Sequence, residues 1–243
     1  FLNDLDLNKV ISFDDFEKNI EALEKEFNDS DHSQDKLNED HIFEIRDYFK
    51  NNFKKENLTR VLDGSNYWNR IGEIISKIPS SRWVDIFSFY WDNNSEINKF
   101  FNLLNTDLKK LGYNKSVFIN ESSILRNGGA ILDVTRVKEI FKKDTSEQTV
   151  YCDNQEININ TNRLSAVISE VTLCVPENLK SKKEFIQNTD LLDFPGARSR
   201  LKLNKITDEE TPLMFLRGKI SYLFKRYSTN LEINNLLFCI NDQ

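Results

Sequence analysis

Apolar residues recur at helical spacing through the first half of the chain. In "SFDDFEKNIEALEKEF", Phe16, Ile20, Leu23 and Phe27 fall on one face, and Ser12 with Asp15 makes a pattern close to a capping box ahead of them. The polar stretch "NDSDHSQDK" reads as a linker. The period then resumes in "EDHIFEIRDYFKNNF" with Ile42, Ile45, Phe49 and Phe53. Ser65 is expected to cap "NYWNRIGEIISKI", Pro79 to close it, and "SSRWVDIFSFYW" to start the next helix. In "SEINKFFNLLNTDLKKLG" every local signal agrees. Ser95 is the candidate N-cap, and Ile97, Phe100, Phe101, Leu104, Leu108 and Leu111 form one stripe. Lys109 and Lys110 complement the C-terminal dipole, and Gly112 stops the helix. Residues from 10 to about 112 are predicted to form a compact antiparallel set of helices.

Beyond that point the pattern changes. "SVFI" and "GGAILDV" look extended, and "DVTRVKEIF" is a short helix that Asp133 could cap. "QTVYCDNQEINI" alternates on either side of "DNQ" as a hairpin does. "TNRLSAVISE" is a short helix capped by Thr161, and "VTLCV", "TDLLDF" and "NLLFCI" read as buried strands. "TPLMFLRGKISYLFKRY" is a helix with Thr211 as N-cap and Pro212 in its first position. Strands alternating with helices suggest an α/β sheet. The expected class is therefore α+β or α/β, with a helical domain over 1–115, a connector over 116–148 and a partial α/β domain over 149–243.

Composition narrows the function classes. The chain has 243 residues, 39% of them apolar and 12% aromatic, enough for a real core. Its 33 basic and 39 acidic residues give a net charge of -6, and the charges are mixed along the chain. That argues against a dedicated nucleic-acid binder, which usually carries a basic face. Cys152, Cys174 and Cys239 are far apart and lack metal-ligand spacing, and two of them sit in apolar runs, so they read as reduced, mostly buried thiols of a cytoplasmic protein. His32 and His41 lie in a polar stretch without matching ligands, which leaves little for a zinc site. The aromatic cluster from Trp83 to Phe101 has core spacing. No apolar run approaches the ~20 residues of a spanning helix. A chain that begins at Phe1 and stops after an apolar segment is expected to be an excerpt from a longer polypeptide.

One motif carries chemistry. A P-loop nucleoside triphosphatase holds Mg²⁺ with an acidic residue at a strand end, and needs a glycine where the backbone N–H approaches the terminal phosphate. "LLDFPG" supplies both, as Asp193 and Gly196; the alternative is an ordinary strand-to-helix turn. The phosphate-gripping loop G-x-x-x-x-G-K-[ST] is absent. "RGKIS" lacks its first glycine, has Ile220 in the hydroxyl position, and is read as a solvated helix face. "NKIT" has Thr207 where a guanine-specificity motif needs aspartate.

"DLLDFPGARSR", "MFLRGKISYLFKRY" and "LLFCI", with "SRWVDIFSFYW" and "INKFFNLLNTDLKKLGYNKSVFI", resemble the SrfC-type bacterial virulence factors, a family similar to dynamin-like GTPases. The likeness spans roughly residues 60 to 243. It implies Asp193 near Mg²⁺, Gly196 with its N–H toward the γ-phosphate of GTP or ATP, and Pro195 stiffening the turn. Arg198 and Arg200 would fall in the following switch segment, where an arginine can stabilise transition-state charge; the alternative is a pair of surface arginines. The resemblance places the P-loop before Phe1, so the chain alone is expected to be inactive. It implies the rest of a longer chain as partner and raises a second copy and membrane contact, while proteins of the same operon are the partners expected of the competing scaffold. A non-enzymatic helical scaffold of a virulence or secretion assembly is the competing expectation.

Overall fold

The computed structural model describes residues 13–30, 35–54, 56–124, 134–142, 146–174, 176–180, 189–190, 206–233 and 235. Six helices come first: α1 (Phe13–Phe27), α2 (Glu39–Asn52), α3 (Asn57–Gly64), α4 (Tyr67–Ile74), α5 (Trp83–Phe87) and α6 (Ser95–Lys110). Ile20, Ile42, Phe49, Leu62 and Ile71 come from the predicted apolar faces and the helix between them, and all are buried in one core. Each such side chain contributes about 1.5–3 kcal/mol by leaving water. Arg70 on α4 clamps both oxygens of Glu24 on α1, each at 2.8 Å, so a bidentate ion pair fixes the first helix to that core.

The start signals are shifted by one residue from expectation. The side chain of Asn94, not Ser95, accepts the Glu96 and Ile97 amides at the head of α6. Ser65 does not cap α4; its hydroxyl donates to Leu62 O at the end of α3, a helix that the periodicity did not reveal. Gly112 ends α6 as predicted. At φ +60 it bonds Lys109 O, while Tyr113 N bonds Leu108 O, the two links of a Schellman motif.

The sheet has three short antiparallel strands, β1 (Phe118–Ile119), β2 (Glu147–Cys152) and β3 (Gln155–Asn160), in the order β1-β2-β3. The hairpin is as predicted. Asp153 and Asn154 both take positive φ, the two-residue turn that matches strand twist. Its inner face buries Val150 and Ile159 against Leu111 of α6 and Leu164 of α7 (Thr161–Val167). Asn160, one residue before Thr161, caps α7. Residues 134–139 form a 3-10 turn rather than an α-helix, and Val137 and Ile140 there pack with Phe100 and Ala166.

The final elements are α8 (Glu177–Lys180) and α9 (Glu210–Thr229). Glu209 occupies the N-cap position of α9 without a side-chain bond, and the Thr207 hydroxyl accepts the Glu210 amide from the turn before it, so Thr211 is not the cap and Pro212 lies in the third helical position instead of the first. Two expectations change at "VTLCV". Residues 171–174 have no regular structure, and Val171, Leu173 and Cys174 are exposed, so this is not a buried strand and not every thiol is inside. An isolated apolar run becomes a strand only where a neighbouring edge takes its backbone hydrogen bonds, and no such edge lies beside it among the described residues. The fold is helix-rich α+β, and all strand pairing among the described residues is antiparallel.

Candidate functional site

A cleft of about 1250 Å³ opens between the helical core and the tip of the hairpin. Trp83, Leu108 and Tyr113 form its helical wall. Phe118, Tyr151 and the 153–156 turn form the other. The helical wall is rigid because a buried polar chain crosses it. Asp35 accepts the Ser80 amide at 2.6 Å, Ser80 O accepts Asn105 Nδ2 at 2.6 Å, and Asn105 Oδ1 accepts the Tyr113 hydroxyl at 3.0 Å. The hairpin is tied across the cleft by Asn114, whose amide donates to Asp153 at 2.6 Å and whose oxygen accepts from Lys36 at 3.1 Å.

The sheet wall is unusual in what it leaves in water. Phe118 is 74% exposed and Tyr151 40%. They stand opposite one another in the β1–β2 register, and Tyr151 stands opposite Glu156 in the β2–β3 register. Cross-strand neighbours on one face lie about 5 Å apart at Cβ, so the two rings and the carboxylate form a single row. The cleft is larger than the roughly 300–1,000 Å³ usual for small ligands. Its lining offers recognition groups more than reactive ones. The His41 ring is engaged by Asn38 in the cap of α2, and the Cys152 thiol is buried on the inner side of the sheet.

Of the residues that sequence motifs singled out, most are not described. Asp193, Pro195, Gly196, Arg198 and Arg200, with His32 and Cys239, lie outside the described residues. The "RGKIS" segment is helical, as expected, but it is not a solvated face. Lys219 reaches under α9, and its ammonium donates to Ala166 O at 2.7 Å, to Ser165 O at 3.3 Å and to Ile168 O, capping the end of α7. Burial pushes this ammonium down to about 8. At the other end of α7, Arg163 meets the fully buried Asp107 of α6 at 3.2 Å. Burial raises the Asp107 pKa, and the Arg163 charge opposes that rise. The aromatic cluster is core: Trp83, Phe87, Phe89, Tyr90 and Phe100 are all buried. Among the described residues there is no group of three or more metal-ligating side chains, and no helix is long and apolar enough to cross a membrane.

A family model described as "Putative bacterial virulence factor" matches residues 1–243, the whole chain. The chain belongs to this family. No curated protein and no solved structure matches it. Membership in the virulence-factor family agrees with the resemblance carried by "DLLDFPGARSR". It brings no assignment of nucleotide, metal or partner.

Proposed function

We propose that the described part of this virulence factor is an interaction module, and that the cleft receives an extended segment of a partner protein. The observation that carries this reading is the Phe118–Tyr151 pair. Aromatic rings left in water beside a preformed cleft lose apolar exposure when a partner covers them, and aromatic side chains are enriched where binding energy concentrates. A photoreactive phenylalanine analogue at position 118, expressed in the native bacterium, should yield a discrete covalent adduct with a protein. The same group at position 231, where Leu231 is 82% exposed, serves as the control. Equal labelling at both positions would sink the reading.

A second reading rests on "LLDFPG". In a longer polypeptide that supplies a P-loop, Asp193 would hold Mg²⁺, Gly196 would offer its N–H to the terminal phosphate of GTP or ATP, and Arg198 or Arg200 would approach the transferring group. The protein would then be a dynamin-like GTPase whose helical part recruits partners. In the full-length protein Asp193→Ala should abolish Mg²⁺-dependent hydrolysis, and unchanged turnover would remove this role. The chain alone should bind Mg-nucleotide at most weakly, and micromolar affinity by calorimetry would contradict the missing P-loop.

A further inference from the structure

We infer that the row Phe118–Tyr151–Glu156 docks a cationic protein segment, one that lays a lysine or arginine side chain over the two rings with its charge toward the carboxylate. The inference rests on the interaction-module reading and names the chemistry of the partner.

Three observations fix that chemistry. The rings present exposed faces or edges with no cation of their own: the cation–ring contacts of the described residues lie elsewhere, at Phe43, Phe27 and Phe141. The strand segments themselves carry acidic but no basic side chains. Residues 116–124 and 146–162 contain no Lys or Arg, whereas Glu147, Asp153 and Glu156 are all exposed. Glu147 faces the same side as Tyr151, four residues from it along β2. Two cations do line the same cleft. Lys36 is bound to Asn114, which donates in turn to Asp153, and Lys115 stands three residues before Phe118, so the docking row is confined to the two rings and Glu156 rather than spanning the whole opening.

A guanidinium or ammonium over an aromatic face is attracted by the ring, more strongly as water is excluded, and a carboxylate next to it adds a charge-assisted hydrogen bond. A neutral apolar segment would leave Glu156 beside it desolvated without a partner, a cost the cationic segment avoids. An acidic segment would meet three carboxylates of its own sign.

The test is fluorescence anisotropy with two labelled nine-residue peptides on the intact chain, one alternating Arg and Val and the other alternating Glu and Val. The Arg peptide should bind, and the Glu peptide should not. Phe118→Ala and Glu156→Lys should each weaken Arg-peptide binding about threefold to tenfold, the range that roughly 0.7–1.4 kcal/mol produces. Glu44→Lys makes the same change in net charge on exposed α2 and should leave binding within about twofold, separating a located row from general attraction to an acidic protein. Equal loss in Glu44→Lys and Glu156→Lys, or unchanged binding in Phe118→Ala, overturns the inference. A covalent partner adduct at position 118 combined with no Arg-peptide binding would overturn the cationic chemistry while leaving the interaction module standing. Absence of both results would remove the two together.

Discussion

Replacing Asp35 by alanine should destabilise the protein by about 2–4 kcal/mol, more than any exposed acid in the chain. Asp35 is 7% exposed and sits 45 residues from the group it serves, the amide of Ser80, which opens the 3-10 turn leading into α5. Ser80 is itself buried, at 1% exposure, so no water stands ready to replace the lost acceptor. A hydrogen bond to a charged group contributes about 1.5–3 kcal/mol, and a negative charge at the start of a helical turn adds about 0.3–1 kcal/mol. Lys109, 3.9 Å away and exposed, adds little. Asp35→Asn keeps an acceptor oxygen and loses only the charge, so it should cost about 1 kcal/mol. Urea unfolding of the two variants against the parent measures both numbers, and the alanine variant should melt on the order of 5–10 °C lower. Because Ser80 O is bonded in turn to Asn105, and Asn105 to Tyr113, the Ser80 amide should also exchange with solvent faster in the alanine variant. A loss below about 0.5 kcal/mol, the size of an ordinary surface substitution, would refute the claim that this carboxylate holds the helical wall of the cleft.

Two further changes test other joints of the fold. The Lys219 ammonium titrates near 8 in the folded chain against 10.5 when free, so between those values the unfolded chain holds a proton that the native state has released. Stability should therefore rise with pH across that window by up to about 3 kcal/mol, and the difference between parent and Lys219→Met unfolding curves should carry this slope; a flat difference would contradict it. Leu231 takes φ +57 at the end of α9, where its amide bonds Ser228 O and Glu232 N bonds Tyr227 O, the geometry that Gly112 supplies for α6. Leu231→Gly should therefore stabilise by about 0.5–1 kcal/mol despite removing a side chain, and a lower melting temperature would show that the strain is not there.

What the sequence revealed and what it hid divide along physical lines. The helices of the first 112 residues were legible because each buries a face set by local period, and the hairpin because alternation and a two-residue polar turn are also local. Helix starts were legible only to within one or two residues. Asn94 and Ser95 are both good caps, and which one is used depends on the backbone of the incoming loop. Helix α3 puts only Leu58 and Leu62 into the core, a single i,i+4 step that sets no period. Lys219 was misread for a different reason. It stands four residues after Phe215 and three after Leu216, so it belongs to the packed stripe of α9, and charge outweighed position in the sequence reading. "VTLCV" failed because composition gives strand tendency, while strand formation needs a partner that no local rule supplies.

The candidate site follows the same logic. Phe118 meets Tyr151 only through the pairing of strands far apart in sequence, and the cleft exists only where that pair faces Trp83 and Tyr113. The aspartate motif is the converse case, since its meaning lies wholly in a short string and in a P-loop that this chain lacks. The two functional readings therefore stand on different residues and on different kinds of observation. Asp193→Ala in the full-length protein tests the proposed metal ligand, and Phe118→Ala tests the aromatic row. If the protein is a GTPase that recruits a cationic partner, the first variant should lose turnover and retain the adduct at position 118, and the second should do the reverse. If it is a scaffold alone, only the second variant will have a phenotype.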